Sequence, residues 1–155
     1  MTSETKTLYR YDGAILCLFG RVGKAGDGPV SLRNPCAFAI TNGLIIVVDY
    51  GNHRVQVLNY ATGEFVRSLR TSSSSYPTSV AINRGGNNVA VKFSNGTIQI
   101  FQLDGKLVST FGQQGSGNCQ FSGEGHIAYD KDDNLVVSDF ALYPLQMVLG
   151  TNSCS

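Results

Sequence analysis

The sequence predicts an all-β protein, and three observations lead to that fold class. Apolar and polar residues alternate in short segments such as 54–58 (RVQVL) and 97–101 (TIQIF), which is the period of a half-buried strand. Glycine-containing turn sequences separate these segments, and the 155 residues include 18 glycines. Whole segments also recur along the chain at a regular distance. No stretch carries the 3.6-residue apolar period of an amphipathic helix.

Three kinds of segment recur. A turn followed by a strand occurs at 12–19, 62–69 and 104–111. A short strand ending in small and apolar residues occurs at 35–40, 77–82 and 124–129, and a hairpin occurs at 49–57, 92–100 and 139–147. Gln56 and Gln99 are 43 residues apart, and Gln99 and Gln146 are 47 apart. A period in the forties built from four short strands is typical of a β-propeller blade.

The strands can be assigned in chain order. The chain opens with two strands of a preceding blade, Leu8–Tyr11 and Ala14–Phe19. The first full blade is predicted as Cys36–Ile40, Leu44–Val48, Arg54–Asn59 and Glu64–Leu69, from the innermost to the outermost strand. We expect the chain to end after the third strand of its last repeat, which gives about thirteen strands.

Four glycine-containing pairs supply residues that tolerate positive φ in the tight hairpins between these strands. They are Asn42-Gly43, Thr62-Gly63, Asn95-Gly96 and Asp104-Gly105. Asn95-Gly96 is expected to form a type I′ turn.

The first repeat resembles the NHL repeat of TRIM-NHL proteins and their relatives. The resemblance rests on Gly20, Gly23 and Gly26, on Asn34-Pro35, and on residues 48–57 (VDYGNHRVQV). The second repeat has Lys92 where the family has Asp, and the third keeps Asp139 but departs from the rest of the motif. The resemblance implies a partial NHL-type β-propeller of about three four-stranded antiparallel blades. Residues 1–155 then form one domain, with repeats at 19–61, 62–103 and 104–150 and residues 8–18 from a preceding blade.

NHL propellers usually close with six blades, so three blades leave two open edges. Two interpretations follow: the chain is a fragment of a longer NHL protein without a function of its own, or two copies form a homodimer that completes a six-bladed ring. The N-terminus has no apolar signal-like region and the longest apolar run is too short for a bilayer, so we expect a cytoplasmic protein with no membrane partner.

The charge and cysteine content exclude several function classes. The formal net charge is +1, unlike that of a highly basic nucleic-acid binder. Residues 1–71 hold eight Lys/Arg and five Asp/Glu, whereas 72–155 hold four and six. The four cysteines form no CxxC pair and there are two histidines, so a zinc site is not expected. We expect the cysteines to be reduced and structural.

Three motifs suggest chemistry and fail its requirements. The glycine-rich stretch 20–28 lacks the Walker pattern and leads into a strand, where no helix N-terminus can hold phosphate. Residues 131–134 (KDDN) lack the spaced ligands of a calcium loop and are expected to form a hairpin turn. Residues 52–54 (NHR) offer one histidine, and we expect Asp49 and Asn52 to stabilise that turn by accepting and donating local backbone hydrogen bonds. The sequence therefore predicts no cofactor, metal or catalytic residue, and hence no enzyme.

Assigning loops to faces places basic and aromatic residues together. In an up-and-down blade, the loops between blades and the hairpins between the second and third strands lie on one face, called the loop face below. The predicted binding residues on it are Arg21, Lys24, Arg33, Tyr50, His53, Arg54, Arg70, Lys92, Phe93 and Phe140. Tyr50, Phe93 and Phe140 are interpreted as one aromatic position repeated in every blade.

Two kinds of partner suit this face. A protein partner is the first prediction, because Arg and Tyr are enriched at interface hot spots. Single-stranded RNA is the alternative, through phosphate contacts and base stacking. In TRIM-NHL proteins the propeller selects targets for ubiquitin transfer, but the paired cysteines of a RING are absent here. A role in ubiquitination would therefore come from a longer protein or a partner.

Overall fold

The structure is a computed structural model that describes residues 8–11, 15–19, 28, 31–71, 74–140, 146–149 and 153–154. Only the backbone is described for 8–11, 15–19, 146–149 and 153–154. Within this part of the chain, strands form three four-stranded antiparallel sheets and two short pairs. The prediction of an all-β, partial propeller is confirmed.

The three four-stranded sheets are the blades. Blade 1 contains β3 (Pro35–Thr41), β4 (Leu44–Asp49), β5 (Arg54–Asn59) and β6 (Phe65–Leu69); β1 (Leu8–Tyr11) and β2 (Ile15–Phe19) pair before it. Blade 2 contains β7 (Pro77–Ile82), β8 (Asn88–Phe93), β9 (Ile98–Gln102) and β10 (Leu107–Phe111). The short strands β11 (Gln113–Gln114) and β12 (Gln120–Phe121) pair in parallel, and blade 3 contains β13 (Ile127–Tyr129), β14 (Leu135–Val137), β15 (Gln146–Leu149) and β16 (Ser153–Cys154).

Each blade keeps its strands in chain order, as predicted, and the predicted strands of blade 1 agree with the observed ones to within one residue. The predicted end of the last repeat is wrong. Blade 3 has a fourth strand, Ser153–Cys154, which pairs with β15 through Val148 and Leu149. The parallel pair β11–β12 was also not predicted, because two-residue strands carry no periodic signal.

The hairpins use glycine and asparagine where the backbone needs positive φ. Asn42 (φ 47°) and Gly43 (φ 73°) form the two-residue turn between β3 and β4, as a type I′ turn requires. The predicted type I′ turn at Asn95-Gly96 is wrong, because only Gly96 has positive φ. There the Phe93 carbonyl accepts from Gly96 N at 3.0 Å, and Phe93 N donates to the Thr97 carbonyl at 2.9 Å, which describes a type I turn closed by a glycine bulge.

The core lies between the blades. Ile46, Val48, Val55 and Val57 of blade 1 pack against the Val80, Val89 and Val91 side of blade 2. The other side of blade 2, including Ala81, Ala90 and Ile98, packs against Ile127, Leu135 and Val137 of blade 3. Leu32, Ile45, Val47 and Leu58 form a third cluster on the remaining side of blade 1. Blade 2 is thus covered on both faces.

Candidate partner-binding face

Asp49 organises the loop face at blade 1. Its side chain is fully buried at the end of β4, and its carboxylate accepts from the Arg33 backbone N at 2.6 Å, from Asn52 Nδ2 at 2.8 Å and from Arg54 Nε at 2.8 Å. Three donors compensate the cost of burying the charge. Asp49 and Asn52 do bond to each other in this turn, but through their side chains, and their other bonds reach Arg33, Arg54 and Ser31 rather than the local backbone that was expected.

Arg54 belongs to the same network and is half-buried. Its guanidinium donates to the Gly28 carbonyl at 2.9 Å and to the Ser31 carbonyl at 2.7 Å. With the Gln56 amide oriented to satisfy both of its polar atoms, the Gln56 oxygen also accepts from Arg54 at 2.8 Å. Arg54 therefore anchors the loop that precedes blade 1, which differs from its predicted role as a contact for a partner.

The other blades anchor their preceding loops at the same place with different groups. In blade 3, Asp139 accepts from the backbone N and the hydroxyl of Ser122. In blade 2 the hydroxyls of Ser75 and Ser94 are 2.6 Å apart, and Ser94 N donates to the Tyr76 carbonyl at 2.8 Å. A carboxylate holds the preceding loop in blades 1 and 3, whereas a pair of serine hydroxyls holds it in blade 2.

The strand registers correct the predicted alignment of the repeats. Asp49 lies opposite Pro35 and Phe93 lies opposite Pro77, so Phe93 occupies the position of Asp49, and Ser94 occupies that of Tyr50. The hairpin of blade 2 is one residue shorter, since Val47 pairs with Gln56 nine positions later, whereas Val91 pairs with Gln99 eight positions later. The interpretation of one repeated aromatic position is therefore wrong for Phe93, whereas Tyr50 and Phe140, each three residues after the equivalent Val47 and Val137, share that position.

Phe93 and Lys92 are both fully buried, which contradicts their predicted place on a binding surface. Phe93 packs in the core between blades 1 and 2. Lys92 Nζ donates to the carbonyls of Ser122, Gly123 and Glu124 at 2.9, 3.1 and 3.3 Å. Burial lowers the pKa of Lys92 from its usual value, and the nearby carboxylates of Asp139 and Glu124 act in the opposite direction. Lys92 joins blade 2 to the loop that enters blade 3.

Aromatic side chains meet on the loop face at the junction of blades 1 and 2. The rings of Tyr50 and Tyr76 are stacked, with centroids 4.8 Å apart and planes 25° apart. The His53 ring lies 3.7 Å from Tyr76, tilted by 46°. Tyr50 and Tyr76 are each 38% exposed, so the stack offers an aromatic surface to a partner. We call Tyr50, His53 and Tyr76 the aromatic cluster.

A cleft of about 860 Å³ adjoins the aromatic cluster. The starts of the first strands of all three blades line it, through Pro35 and Cys36, Thr78, and Glu124 to His126, together with Tyr50 and Ser94. Cys36 Sγ lies 3.6 Å from the Thr78 carbonyl oxygen, and burial is the main cause of its raised thiol pKa. A second cleft of about 560 Å³ lies beside Glu124, His126 and the 80% exposed Phe140.

The remaining predicted residues are distributed unevenly. Arg33 and Arg70 are exposed, and the stem of Arg33 covers Gly51, where an added Cβ would lie 2.5 Å from Arg33 Cγ. Arg21 and Lys24 lie outside the described residues. Tyr76 was missed by the sequence argument, which looked for aromatics in the hairpins. The sequence indicates Tyr76 only by its position immediately before Pro77, which is equivalent to that of Asn34 before Pro35 in the first repeat.

The expectation that every cysteine is reduced is wrong, because Cys119 is disulfide-bonded, whereas Cys36 is free and exposed. In the part of the chain that the structure describes, no group of three His, Cys, Asp or Glu side chains could hold a metal ion. That part also holds no helix long and apolar enough to cross a membrane.

Comparison with known proteins supports the architecture. A family model described as the NHL repeat matches residues 32–58, which cover the first three strands of blade 1. No curated protein matches the chain in sequence.

Solved structures share the fold at low identity. The WD40 β-propeller domain of Doa1 has a TM-score of 0.65 and 11% identity, and the match covers 89% of this chain and 42% of that one. For the hydrazine synthase of Kuenenia stuttgartiensis the TM-score is 0.60 and the identity 10%, with 76% and 33% covered. The chain thus spans less than half the length of either structure, and the likeness shows the fold alone.

Proposed function

We propose that the chain is a non-catalytic recognition module that binds a protein partner on its loop face. The observation that carries this proposal is the half-exposed Tyr50–Tyr76 stack at the rim of the 860 Å³ cleft. Rigid aromatic side chains beside a cleft are the usual anchors of protein interfaces, because they bury a large area at little cost in conformational entropy.

The chemistry of the cleft favours a peptide segment over a polyanion. Of the predicted basic contacts in the described part, Lys92 is buried and Arg54 is engaged by the Asp49 network. The cleft itself is lined by the carboxylate of Glu124 and by His126. Backbone and side-chain groups of a protein segment can meet such a mixed surface, whereas RNA phosphates need cations, and the described lining of this cleft includes no Lys or Arg.

Single-stranded RNA is the second candidate. It is favoured by Arg33, which is exposed and lies against Gly51 beside the tyrosine stack, and by the exposed Arg70. An arginine next to stacked aromatic rings is a common arrangement for binding unpaired bases.

Selection from a peptide display library, followed by titration of the selected peptides, tests the proposal. Tyr50→Ala and Tyr76→Ala should each weaken binding by at least about tenfold, or roughly 1.4 kcal/mol. Phe65→Ala is the matched control, because Phe65 is 42% exposed on the outermost strand of blade 1, and it should leave affinity unchanged.

Peptides that bind equally well to the two tyrosine variants would contradict the assigned surface.

Titration with a random single-stranded RNA pool at low and moderate salt separates the candidates. RNA binding that weakens steeply with salt and is lost in Arg33→Ala/Arg70→Ala, with no peptide selected, would replace a protein partner with RNA. A link to ubiquitin transfer would act through such a partner. The cytoplasmic location stays a prediction, and the disulfide at Cys119 bears on it because disulfides are rare in the cytosol.

A further inference from the structure

The first strand of blade 1 exposes two large apolar side chains. Phe38 is 54% exposed and Ile40 is 48% exposed, and both lie on β3. Apolar side chains of this size on the innermost strand of a blade normally pack against a neighbouring blade. This strand therefore has an apolar face that the described part of the chain leaves uncovered.

The other two blades show what covers this position. Phe38 pairs with Val47, Val80 with Val91 and Ile127 with Val137, so Phe38, Val80 and Ile127 occupy equivalent positions. Val80 is 8% exposed because blade 1 covers it, and Ile127 is 6% exposed because blade 2 covers it. Phe38 thus faces the place of a blade preceding blade 1.

At each junction, the face of one blade against which the following blade packs is called here the receiving side, and small residues contribute to it. Ala37 and Ala39 of blade 1 pack against the cluster that contains Val80, and Ala81 and Ala90 of blade 2 pack in the cluster that contains Ile127. The equivalent of Ala39 and Ala81 in blade 3 is Ala128, which lies opposite Val136 as Ala81 lies opposite Ala90. Ala128 is exposed, so the described part of the chain leaves the receiving side of blade 3 uncovered.

We propose that two copies of the chain associate head to tail, with Phe38 and Ile40 of one copy against the Ala128 side of blade 3 of the other. The contact repeats the large-on-small packing of the two junctions within the chain. Both complementary surfaces are present in one chain, at opposite ends of its row of blades, as a heterologous contact that closes into a ring requires.

Other blades, from another polypeptide, could occupy the same faces, and the experiment below distinguishes them from a second copy. The proposal does not depend on the proposed function, because it concerns the sides of the blades and not the loop face.

Light scattering after size-exclusion chromatography, combined with sedimentation equilibrium, measures the association. The full chain should have twice the monomer mass of 16.6 kDa, and Phe38→Glu should raise the dimer dissociation constant at least tenfold. Val108→Glu is the matched control, because Val108 is 47% exposed on the outermost strand of blade 2, and it should leave the dimer intact. A monomer at every concentration tested, or a dimer equally tight in Phe38→Glu, would overturn the proposal.

A cross-linking experiment keeps the proposal testable if Phe38→Glu does not fold. One chain carries Cys36→Ser and Phe38→Cys, and a second carries Cys36→Ser and Ala128→Cys; the chain with Cys36→Ser alone sets the background. A short bis-maleimide should link the two chains when they are mixed, and link neither chain alone above that background. Equal cross-linking in the separate and mixed samples, or none in the mixture, would overturn the head-to-tail arrangement.

Discussion

Asp49 has no solvent-accessible surface, yet its carboxylate meets three donors, from Arg33, Asn52 and Arg54. Such a buried group stabilises the fold only while its partners are present, because an unpaired buried charge or donor is costly. The sequence motif around it was recognisable as a repeat signature. That its arginine faces inward could not be read from the sequence, since its partners are the backbone carbonyls of Gly28 and Ser31, which any residue type supplies.

Asp49→Ala should lower the free energy of unfolding by roughly 3–5 kcal/mol, because it removes the buried carboxylate that pairs with Arg54 and leaves the Arg33 N–H without its acceptor. Urea denaturation followed by circular dichroism measures the change. Asp104→Ala is the matched control: Asp104 is exposed and, among the described residues, its carboxylate accepts from the Lys106 backbone N alone, at 2.8 Å, so its loss should cost below about 1 kcal/mol. Equal costs for the two variants would contradict the structural role of Asp49.

Tyr129 gives the stability a dependence on alkaline pH. Burial raises the pKa of Tyr129 from 10.0 to about 12, with a further contribution from Asp133. Between pH 10 and 12 the unfolded chain loses this proton while the folded chain keeps it, so the free energy of unfolding falls as the pH rises through that range. The free energy of unfolding of Tyr129→Phe should fall less between pH 9 and 11 than that of the unaltered chain, as measured by urea denaturation at each pH. A parallel decline in both proteins would contradict this assignment.

At the scale of strands and hairpins, alternation and turn residues predicted blade 1 to within one residue at each strand end. The alignment of blade 2 failed because its hairpin is one residue shorter, which moves Phe93 into the core and Ser94 onto the loop face. A one-residue deletion leaves the alternation of the flanking strands intact, so no periodic signal marks it. Of the predicted binding residues, Tyr50 and His53 lie in the aromatic cluster, whereas Lys92 and Phe93 are buried, and binding through the loop face stays a prediction.

Two hairpin glycines should differ in their tolerance of a side chain. Gly43 and Gly96 both have positive φ, at 73° and 80°. A Cβ at Gly43 would meet nothing within 4 Å, whereas one at Gly96 would lie 2.5 Å from the Phe121 carbonyl oxygen. Gly43→Ala should cost about 1 kcal/mol from backbone strain, and Gly96→Ala at least about 2 kcal/mol more, from overpacking. Thermal or urea unfolding of the pair checks this, and equal costs would argue against the close approach of β12 to this hairpin.

For the whole molecule, the regular spacing of the repeats predicted the propeller architecture, because that spacing is a property of the complete chain. It could not predict which faces of the blades are left open. Which faces are left open depends on side-chain size at equivalent positions, such as Phe38, Val80 and Ile127. These positions can be matched only when the strand registers are known.

Hydrogen exchange should be slowest in the middle blade. Blade 2 is covered on both faces, so exchange of its central strands β8 and β9 requires both interfaces to open, whereas β3 and β13 each lie beside an uncovered face. Mass spectrometry of exchanged peptides measures this gradient. The gradient belongs to the undimerised chain and is therefore measured in Phe38→Glu, where protection in β3 equal to that in β8 would contradict it.

The reach of Lys92 across the junction makes the order of the blades matter. The three blades share strand order, so a circularly permuted or blade-swapped chain would keep the same secondary structure. Lys92 nevertheless requires the carbonyls of residues 122–124 immediately after its own blade, and Arg54 donates to those of residues 28 and 31 before its own. Blades 1 and 2 therefore each depend on one particular adjoining loop, and rearranging the blades would leave the fully buried Lys92 without its acceptors.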